Sequence, residues 1–142
     1  MGALAELQWG DNGLLPVVIQ DITTKQVLML AWMNQEALHR TLQTGEVRLW
    51  SRSRQELWHK GATSGNVMVL ADLFYDCDGD AILARVWPQG PSCHTGNTSC
   101  FYRELTYEDL LAAADGARSS KLLPIWSSEA AEGVDKPKTR RR

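Results

Sequence analysis

Two apolar runs joined by a short acidic connection restrict the fold of this 142-residue chain more than any other feature. The runs span 67–75 and 81–87, and both have the length and composition of strands. Asp78 and Gly79 stand in the connection, and an Asp-Gly pair favours the tight turn of a β-hairpin. The segment therefore predicts two antiparallel neighbours in one sheet.

Shorter patterns predict the remaining elements of an α+β fold: a strand-dominated mixed sheet with two or more short helices in a single domain. Strands are predicted at 17–19, 27–31, 47–50 and around 101–104. Asn34 is a plausible N-cap for a helix that runs to about Gln43, and Gly45 suits the position after its end. Thr106 is expected to cap a second helix over 107–114. The strands and helices do not alternate regularly, which argues against a doubly wound fold.

The composition indicates a globular domain with a sizeable core, since 44% of the residues are hydrophobic and 23% are charged. Four of the six tryptophans lie in or near apolar runs and are expected in the core: Trp32, Trp50, Trp87 and Trp126. No apolar run approaches the roughly 18 residues of a membrane span. Three cysteines are too few for a disulfide scaffold, and no secretory signal is visible. We therefore expect a cytoplasmic protein without membrane partners.

The charge of the chain is unevenly distributed. Residues 136–142 carry five basic groups and no acid, whereas the whole chain has 15 basic and 17 acidic residues. The first 135 residues therefore hold 10 basic and 17 acidic residues, and this acidic body argues against nucleic-acid binding. We interpret residues 1–115 as the functional domain and residues 116–142 as a C-terminal extension that ends in a disordered basic tail.

The acidic connection has a second interpretation, because Asp76, Asp78 and Asp80 alternate with other residues around Cys77. In an extended segment the three carboxylates would share one face and Cys77 would lie on the other. Carboxylate oxygens suit hard cations such as Mg²⁺ or Ca²⁺. Spacing alone slightly favours a plain acidic hairpin tip, although a turn that presents the carboxylates would satisfy both interpretations.

The three cysteines form a second candidate site. Cys93 and Cys100 lie in a polar, turn-rich loop and Cys77 lies between aspartates, so none of them belongs to an apolar run. Three thiolates suit Zn²⁺ and leave one tetrahedral position for water, as in catalytic zinc sites. The alternative is that the cysteines are small buried hydrophobic side chains. His94 follows Cys93 directly and is the candidate for proton transfer.

A third stretch, residues 50–66, mixes cations, hydroxyl groups, aromatic rings and glycines. Guanidinium groups and loop N–H groups can hold a phosphate, and an aromatic ring can stack on a base. The candidate substrate-binding residues are Arg52, Arg54, Trp58, Thr63 and Ser64, with Lys60 beside them. The alternative is a solvated loop, since no Walker or dinucleotide-binding pattern is present.

Taken together, these stretches resemble the phosphoribosyl-AMP cyclohydrolases of histidine biosynthesis. The matching segments cover most of residues 14–106 and are, in order, 28–34, 51–54, 58–61, 63–66, 76–80, 93–96 and 100–101. Each segment alone is weakly specific, whereas their joint order and spacing are highly specific. Many relatives carry a fused second domain, and the length of this chain predicts the monofunctional form.

The resemblance implies hydrolytic opening of the adenine ring of 1-(5-phosphoribosyl)-AMP between N1 and C6. It also implies a homodimer in which one subunit supplies Cys93 and Cys100 to Zn²⁺ and the other supplies Cys77. The implied Mg²⁺ ligands are Asp76, Asp78 and Asp80.

The chemistry that follows is attack of a zinc-bound hydroxide on the electrophilic C6. The catalytic candidates are His94, as general base and acid, and Lys60. Two other classes stay open. A zinc nucleobase deaminase is weakened by the absence of its H-x-E…P-C-x-x-C pattern. A structural-metal or nucleotide-binding module would close a four-ligand zinc site with His94 or His59.

Overall fold

The computed structural model describes residues 2–117 of the chain. Its elements, in chain order, are an N-terminal 3-10 helix Gly2–Glu6, β1 Leu15–Asp21, β2 Val27–Met33, α1 Gln35–Thr44, β3 Arg48–Ser51, β4 Glu56–His59, β5 Met68–Tyr75, β6 Ile82–Pro88 and α2 Tyr107–Ala117. The chain divides into two units, Met1–Tyr102 and Arg103–Arg142, and all these strands belong to the first. The predicted basic tail lies outside the described residues, and the predicted boundary at residue 115 stays a prediction.

A four-stranded mixed sheet in the order β2-β1-β6-β5 confirms the predicted α+β class. β1 pairs in parallel with β6, while β1–β2 and β5–β6 are antiparallel. Tyr75 lies opposite Ile82 at the end of the predicted hairpin. β3 and β4 form a separate two-stranded sheet. None of the helices in the described part of the chain is long and apolar enough to cross a membrane.

One face of the four-stranded sheet forms the core. Ala84, Ile19 and Met29 are aligned across three strands, and each is at most 7% exposed. Ala37 and Leu38 of α1 and Leu49 of β3 belong to the same buried cluster. This face therefore packs beneath the helix and the small sheet, as expected for apolar residues that alternate along each strand.

The opposite face of the sheet is apolar but open. Phe74, Leu83, Val18 and Leu30 are aligned across all four strands, and Phe74 and Leu30 remain 47% and 48% exposed. Trp87, two residues beyond Arg85 on the same face of β6, is 48% exposed, so its expected place in the core is wrong. We call these residues, with Trp87, the open face. A band of exposed apolar side chains is a feature typical of interaction surfaces.

An ion pair interrupts the open face beside Phe74. The Arg85 Nε and Nη2 atoms donate to the two carboxylate oxygens of Asp72 at 2.8 and 2.6 Å. The Arg85 guanidinium also lies 4.9 Å from the centroid of the Phe74 ring. The hydrogen bond from Arg85 is the main reason that the pKa of Asp72 lies below its ordinary value. Because the pair is bidentate, it adds charged groups of fixed orientation to a mostly apolar surface.

Local capping signals explain both helices. The Asn34 side chain accepts a hydrogen bond from the Ala37 N–H at 2.8 Å, and Gly45 takes a left-handed conformation, which confirms the predicted ends of α1. Thr106 and Asp109 exchange side-chain-to-backbone hydrogen bonds in a capping box. α2 begins as predicted and continues to Ala117, three residues further than predicted.

Two assignments from the sequence differ from the structure. The strand predicted around 101–104 is wrong: the Cys100 N–H donates to the Leu28 carbonyl oxygen at the edge of β2, but no ladder continues into the next residues. β4 was not predicted. It forms because Trp58 pairs with Leu49 of β3 and Leu57 pairs with Trp50. The side chains of Leu57 and Trp58 are half-buried, and their cross-strand contacts stabilise this short strand.

Candidate functional site

A cavity of about 470 Å³, which we call the lysine pocket, collects most of the predicted catalytic and substrate-binding residues. Two segments distant in sequence, 54–66 and 91–96, form it together. Its lining includes Arg54, Trp58, Lys60, Thr63, Ser64, Cys93 and His94. Of the residues predicted to bind substrate, Arg52 is absent from this lining.

Lys60 lies beneath the cysteine loop and is only 9% exposed. Its Nζ donates to the Ser92 carbonyl oxygen at 2.6 Å and lies 5.6 Å from the centroid of the Trp58 ring. A buried ammonium group needs such partners, because burial without them is unfavourable. Lys60 therefore holds the start of the loop and places a positive charge beside Cys93.

The thiols of Cys93 and Cys100 are neighbours with opposite pKa shifts. The pKa of Cys93 lies below its ordinary value, first because the Thr95 hydroxyl donates to its Sγ at 3.0 Å and also because of Cys100 and Lys60. Burial, and then the charge of Cys93, raises the pKa of Cys100. The surroundings of Cys93 therefore favour the thiolate form more than those of Cys100 do.

The loop that carries these cysteines is fixed to the edge of β2. The Cys100 N–H donates to the Leu28 carbonyl oxygen at 2.7 Å, and the Ser99 hydroxyl donates to the Val27 carbonyl oxygen at 2.8 Å. At the other end of the loop, the Cys93 N–H donates to the Asn97 carbonyl oxygen at 3.1 Å. The position of the thiol pair is thus set by β2.

Cys77 does not join this pair within one chain. It lies in the turn between β5 and β6, and its side chain is exposed. The sheet order places β2, β1 and β6 side by side, so Cys100, outside β2, lies on the order of 15 Å from this turn at ordinary strand spacing. Among residues 2–117, the three sulfur atoms do not form a group within 4.8 Å of one another.

The three aspartates of the turn do converge. One carboxylate oxygen from each of Asp76, Asp78 and Asp80 lies within 4.8 Å of the others, and all three residues are exposed. The segment is a turn rather than an extended strand, closed by the Asp80 N–H, which donates to the Asp76 carboxylate at 2.9 Å. Alternation of an extended strand therefore does not apply, and the turn itself brings the oxygens together, as the second interpretation of the segment allowed. Hydrogen bonding to Asp76 and Asp78 raises the pKa of Asp80 to about 6.

Gly79 fixes this turn against the N-terminal segment. Its φ is +75°, and a Cβ at this position would lie 2.5 Å from the Glu6 carbonyl oxygen. Its own carbonyl oxygen accepts a hydrogen bond from the Gln8 N–H at 2.7 Å. Only glycine satisfies both the conformation and the contact.

Arg52 and Arg54 line different cavities, so the two predicted substrate-binding arginines do not border one pocket in this chain. The Arg52 guanidinium lies 4.5 Å from the centroid of the Trp32 ring and borders a cavity of about 270 Å³. The His59 side chain has a partner outside the cysteine loop, since its Nε2 lies 2.8 Å from the Glu46 carboxylate. A groove of about 1180 Å³ between the 3-10 helix and α1 is lined by none of the predicted site residues.

The chain is similar to known proteins over the region that holds these features. A family model described as phosphoribosyl-AMP cyclohydrolase matches residues 29–102. An Archaeoglobus fulgidus protein of that name is 54% identical over 105 residues, which is 74% of this chain and 97% of the relative. A Lacticaseibacillus paracasei protein of the same name is 61% identical over 92 residues, which is 65% of this chain and 84% of the relative.

Bifunctional relatives match over part of their length. The histidine biosynthesis bifunctional protein HisIE of Caldanaerobacter subterraneus is 54% identical over 105 residues. The match covers 74% of this chain and 51% of that protein. This chain therefore spans about half the length of the bifunctional relative.

Proposed function

Because the chain belongs to the phosphoribosyl-AMP cyclohydrolase family of histidine-biosynthesis enzymes, we propose that it hydrolyses the N1–C6 bond of the adenine ring in 1-(5-phosphoribosyl)-AMP. The observation that carries this proposal is the lysine pocket, where a cation, hydroxyl groups, an aromatic ring and a histidine meet beside a thiol of lowered pKa. Such a pocket suits a polar, phosphorylated aromatic substrate.

The donor set of the cysteine loop fits Zn²⁺. The thiols of Cys93 and Cys100 are neighbours, and the pKa of Cys93 lies below its ordinary value, which is the direction that eases formation of the thiolate a soft metal requires. We propose that the third ligand is Cys77 of the partner subunit. Bound there, Zn²⁺ would supply a Lewis acid that lowers the pKa of a water molecule. The thiols must stay reduced for this role, which favours the cytoplasm.

The residues of the pocket have separate roles in this proposal. Alkylation of N1 makes C6 electrophilic, so water adds there, and cleavage of the C6–N1 bond gives a carboxamide and a formimidoyl group. His94, exposed and next to Cys93, takes the proton from the water and returns it to the departing N1. Trp58 offers a ring against which the base can stack, and Lys60 and Arg54 attract phosphate.

A homodimer completes the proposed site. The sheet separates the turn that carries Cys77 from the β2 edge that carries Cys100, which supports a site in which a second copy brings the third thiol. The open face supports this assembly, because its aligned apolar residues are buried only if another surface covers them. The ion pair of Arg85 and Asp72 would then fix the orientation of the two copies.

The three converging aspartates are proposed to bind Mg²⁺ separately from the zinc site. Their oxygens are hard donors that lie within 4.8 Å of one another, and a cation would neutralise the charge of carboxylates held this close. Mg²⁺ retains water readily, so this exposed cluster would bind it more weakly than three thiolates bind Zn²⁺.

A spectroscopic assay of ring opening tests the proposed function. The zinc-loaded enzyme should convert phosphoribosyl-AMP, and a strong chelator should remove this activity until zinc is restored. No ammonia should appear, since hydrolysis at N1–C6 keeps the exocyclic nitrogen in the carboxamide. Release of ammonia from the substrate would indicate the deaminase, and binding of substrate without turnover would indicate a nucleotide-binding module.

Replacing Asp78 by Asn should raise the Mg²⁺ concentration needed for half-maximal activity by roughly tenfold, because one charged ligand becomes neutral. Bound zinc should stay at its original level. The measurement is a Mg²⁺ titration of ring opening after treatment with a mild chelator. Asp11→Asn makes the same charge change at an exposed site far from the cluster in sequence and should leave the titration unchanged. If Asp78 only forms the turn, Asn suits that turn equally well and both variants will behave alike.

A further inference from the structure

The cavity bordered by Arg52, which we call the arginine pocket, is separate from the lysine pocket. Its volume is about 270 Å³, enough for a small polar group. Its lining comprises Asn12, Leu14, Asn34, Trp50, Arg52 and Gln55. No carboxylate is among these residues, so nothing in the lining opposes a negative charge.

Two backbone contacts orient the amide groups of this pocket. The Asn12 Oδ1 accepts from the Leu14 N–H at 3.1 Å, and the Asn34 Oδ1 accepts from the Ala37 N–H at 2.8 Å. Because both oxygens are engaged, each amide has its NH₂ group left as a donor, and neither NH₂ has a hydrogen-bond partner within residues 2–117. The pocket is therefore rich in donors.

Arg52 adds a positive charge that no carboxylate neutralises in the described part of the chain. Arg40, Arg54 and Arg85 each pair with an acidic side chain at 2.8, 3.3 and 2.6 Å. The Arg52 guanidinium instead stacks over the Trp32 ring, and its backbone carbonyl oxygen accepts from the Gln55 side chain at 2.7 Å. Such a guanidinium keeps its hydrogen-bonding edge for a ligand.

We propose that the arginine pocket binds a phosphate monoester. Phosphate offers only acceptors and a negative charge, which matches a guanidinium and two amide NH₂ groups. The assignment of this phosphate to the substrate rests on the proposed function: phosphoribosyl-AMP carries a 5′-phosphate at each end, and we assign one of them to the cations of the lysine pocket. The arginine pocket would take the other.

Asn34→Asp tests this assignment with little disturbance to the fold. Asp retains an oxygen for the Ala37 N–H and is as good an N-cap as Asn, but it replaces the NH₂ donor by a charged oxygen. Binding of ribose 5-phosphate to the full chain is followed by tryptophan fluorescence, since Trp50 lines the pocket and Trp32 lies under Arg52. We expect at least about tenfold weaker binding with an unchanged Tm.

Three further arms identify the ligand and the pocket. Gln35→Glu adds the same charge one residue further along α1, outside the pocket lining, and should bind ribose 5-phosphate normally. Arg52→Gln should weaken binding as Asn34→Asp does. Inorganic phosphate should compete if the phosphate alone is recognised, and adenosine, which lacks phosphate, should not.

The outcomes separate this inference from the proposed function. Equal binding by Asn34→Asp, Arg52→Gln and the unchanged chain, with a loss in Arg54→Gln, would place the phosphate in the lysine pocket and overturn the inference. A fluorescence change that depends on Asn34 and Arg52 supports the inference even if no ring opening is found. In an active enzyme, the same two variants should raise KM for phosphoribosyl-AMP far more than they lower kcat.

Discussion

Cys93→Ser should lower ring-opening activity by at least about 100-fold and remove the bound zinc. Removal of an outer partner of a metal ligand already lowers metal affinity by roughly 10- to 100-fold, and loss of the ligand itself should exceed that. A serine hydroxyl is protonated at neutral pH, whereas Thr95 and Lys60 favour the thiolate of Cys93. Zinc content and turnover are measured on the same sample.

A graded variant separates loss of the ligand from damage to the loop. Thr95→Val removes the hydroxyl that donates to Cys93 Sγ, so the pKa of Cys93 should rise and zinc should bind more weakly while the full stoichiometry is kept at saturation. The Tm of the zinc-free proteins should be similar in both variants, because Thr95 is exposed and Cys93 is only half-buried. Stoichiometric zinc and full activity in Cys93→Ser would refute the thiolate site.

Mixing Cys77→Ser and Cys93→Ser chains, each inactive alone, should restore activity. A heterodimer contains one site with all three thiols and one site with two of them missing. With random exchange about half of the dimers are heterodimers, and half of their sites are intact, so about a quarter of the original activity should return. Activity is measured after exchange has been confirmed by mass spectrometry of differently labelled chains.

The matched control is a mixture of Cys93→Ser chains with Cys100→Ser chains. In the proposed site each chain supplies its Cys93 and Cys100 to the same zinc ion. Each site of this heterodimer therefore lacks one of the two thiols, and no activity should return. Recovery in this control, or no recovery in the first mixture after confirmed exchange, would contradict a site shared between subunits.

The parts of the fold that the sequence predicts well depend on neighbouring residues. The β5–β6 hairpin follows from an Asp-Gly turn, and the ends of α1 follow from Asn34 and Gly45. The convergence of the three aspartates was also expected, although the reason differs, because the turn and not strand alternation brings the oxygens together. Local chemistry of this kind is legible without the fold.

The parts that the sequence does not predict depend on contacts between distant segments. Arg52 and Arg54 are two residues apart, yet both lie in the turn at 52–55 and they line different cavities. Trp87 lies on a sheet face that residues 2–117 leave partly exposed. Periodicity marks such a residue as apolar but does not say whether its own chain or another covers it.

The distance that the sheet imposes between Cys77 and Cys100 has a thermodynamic consequence. If zinc bridges two chains, metal binding and self-association are reciprocally linked. Zinc then raises the association constant of the two chains by some factor, and association raises the affinity for zinc by the same factor. Dilution would then release metal, and chelation would promote dissociation. Loss of one zinc ion would therefore remove a bound metal and a contact between the two subunits at the same time.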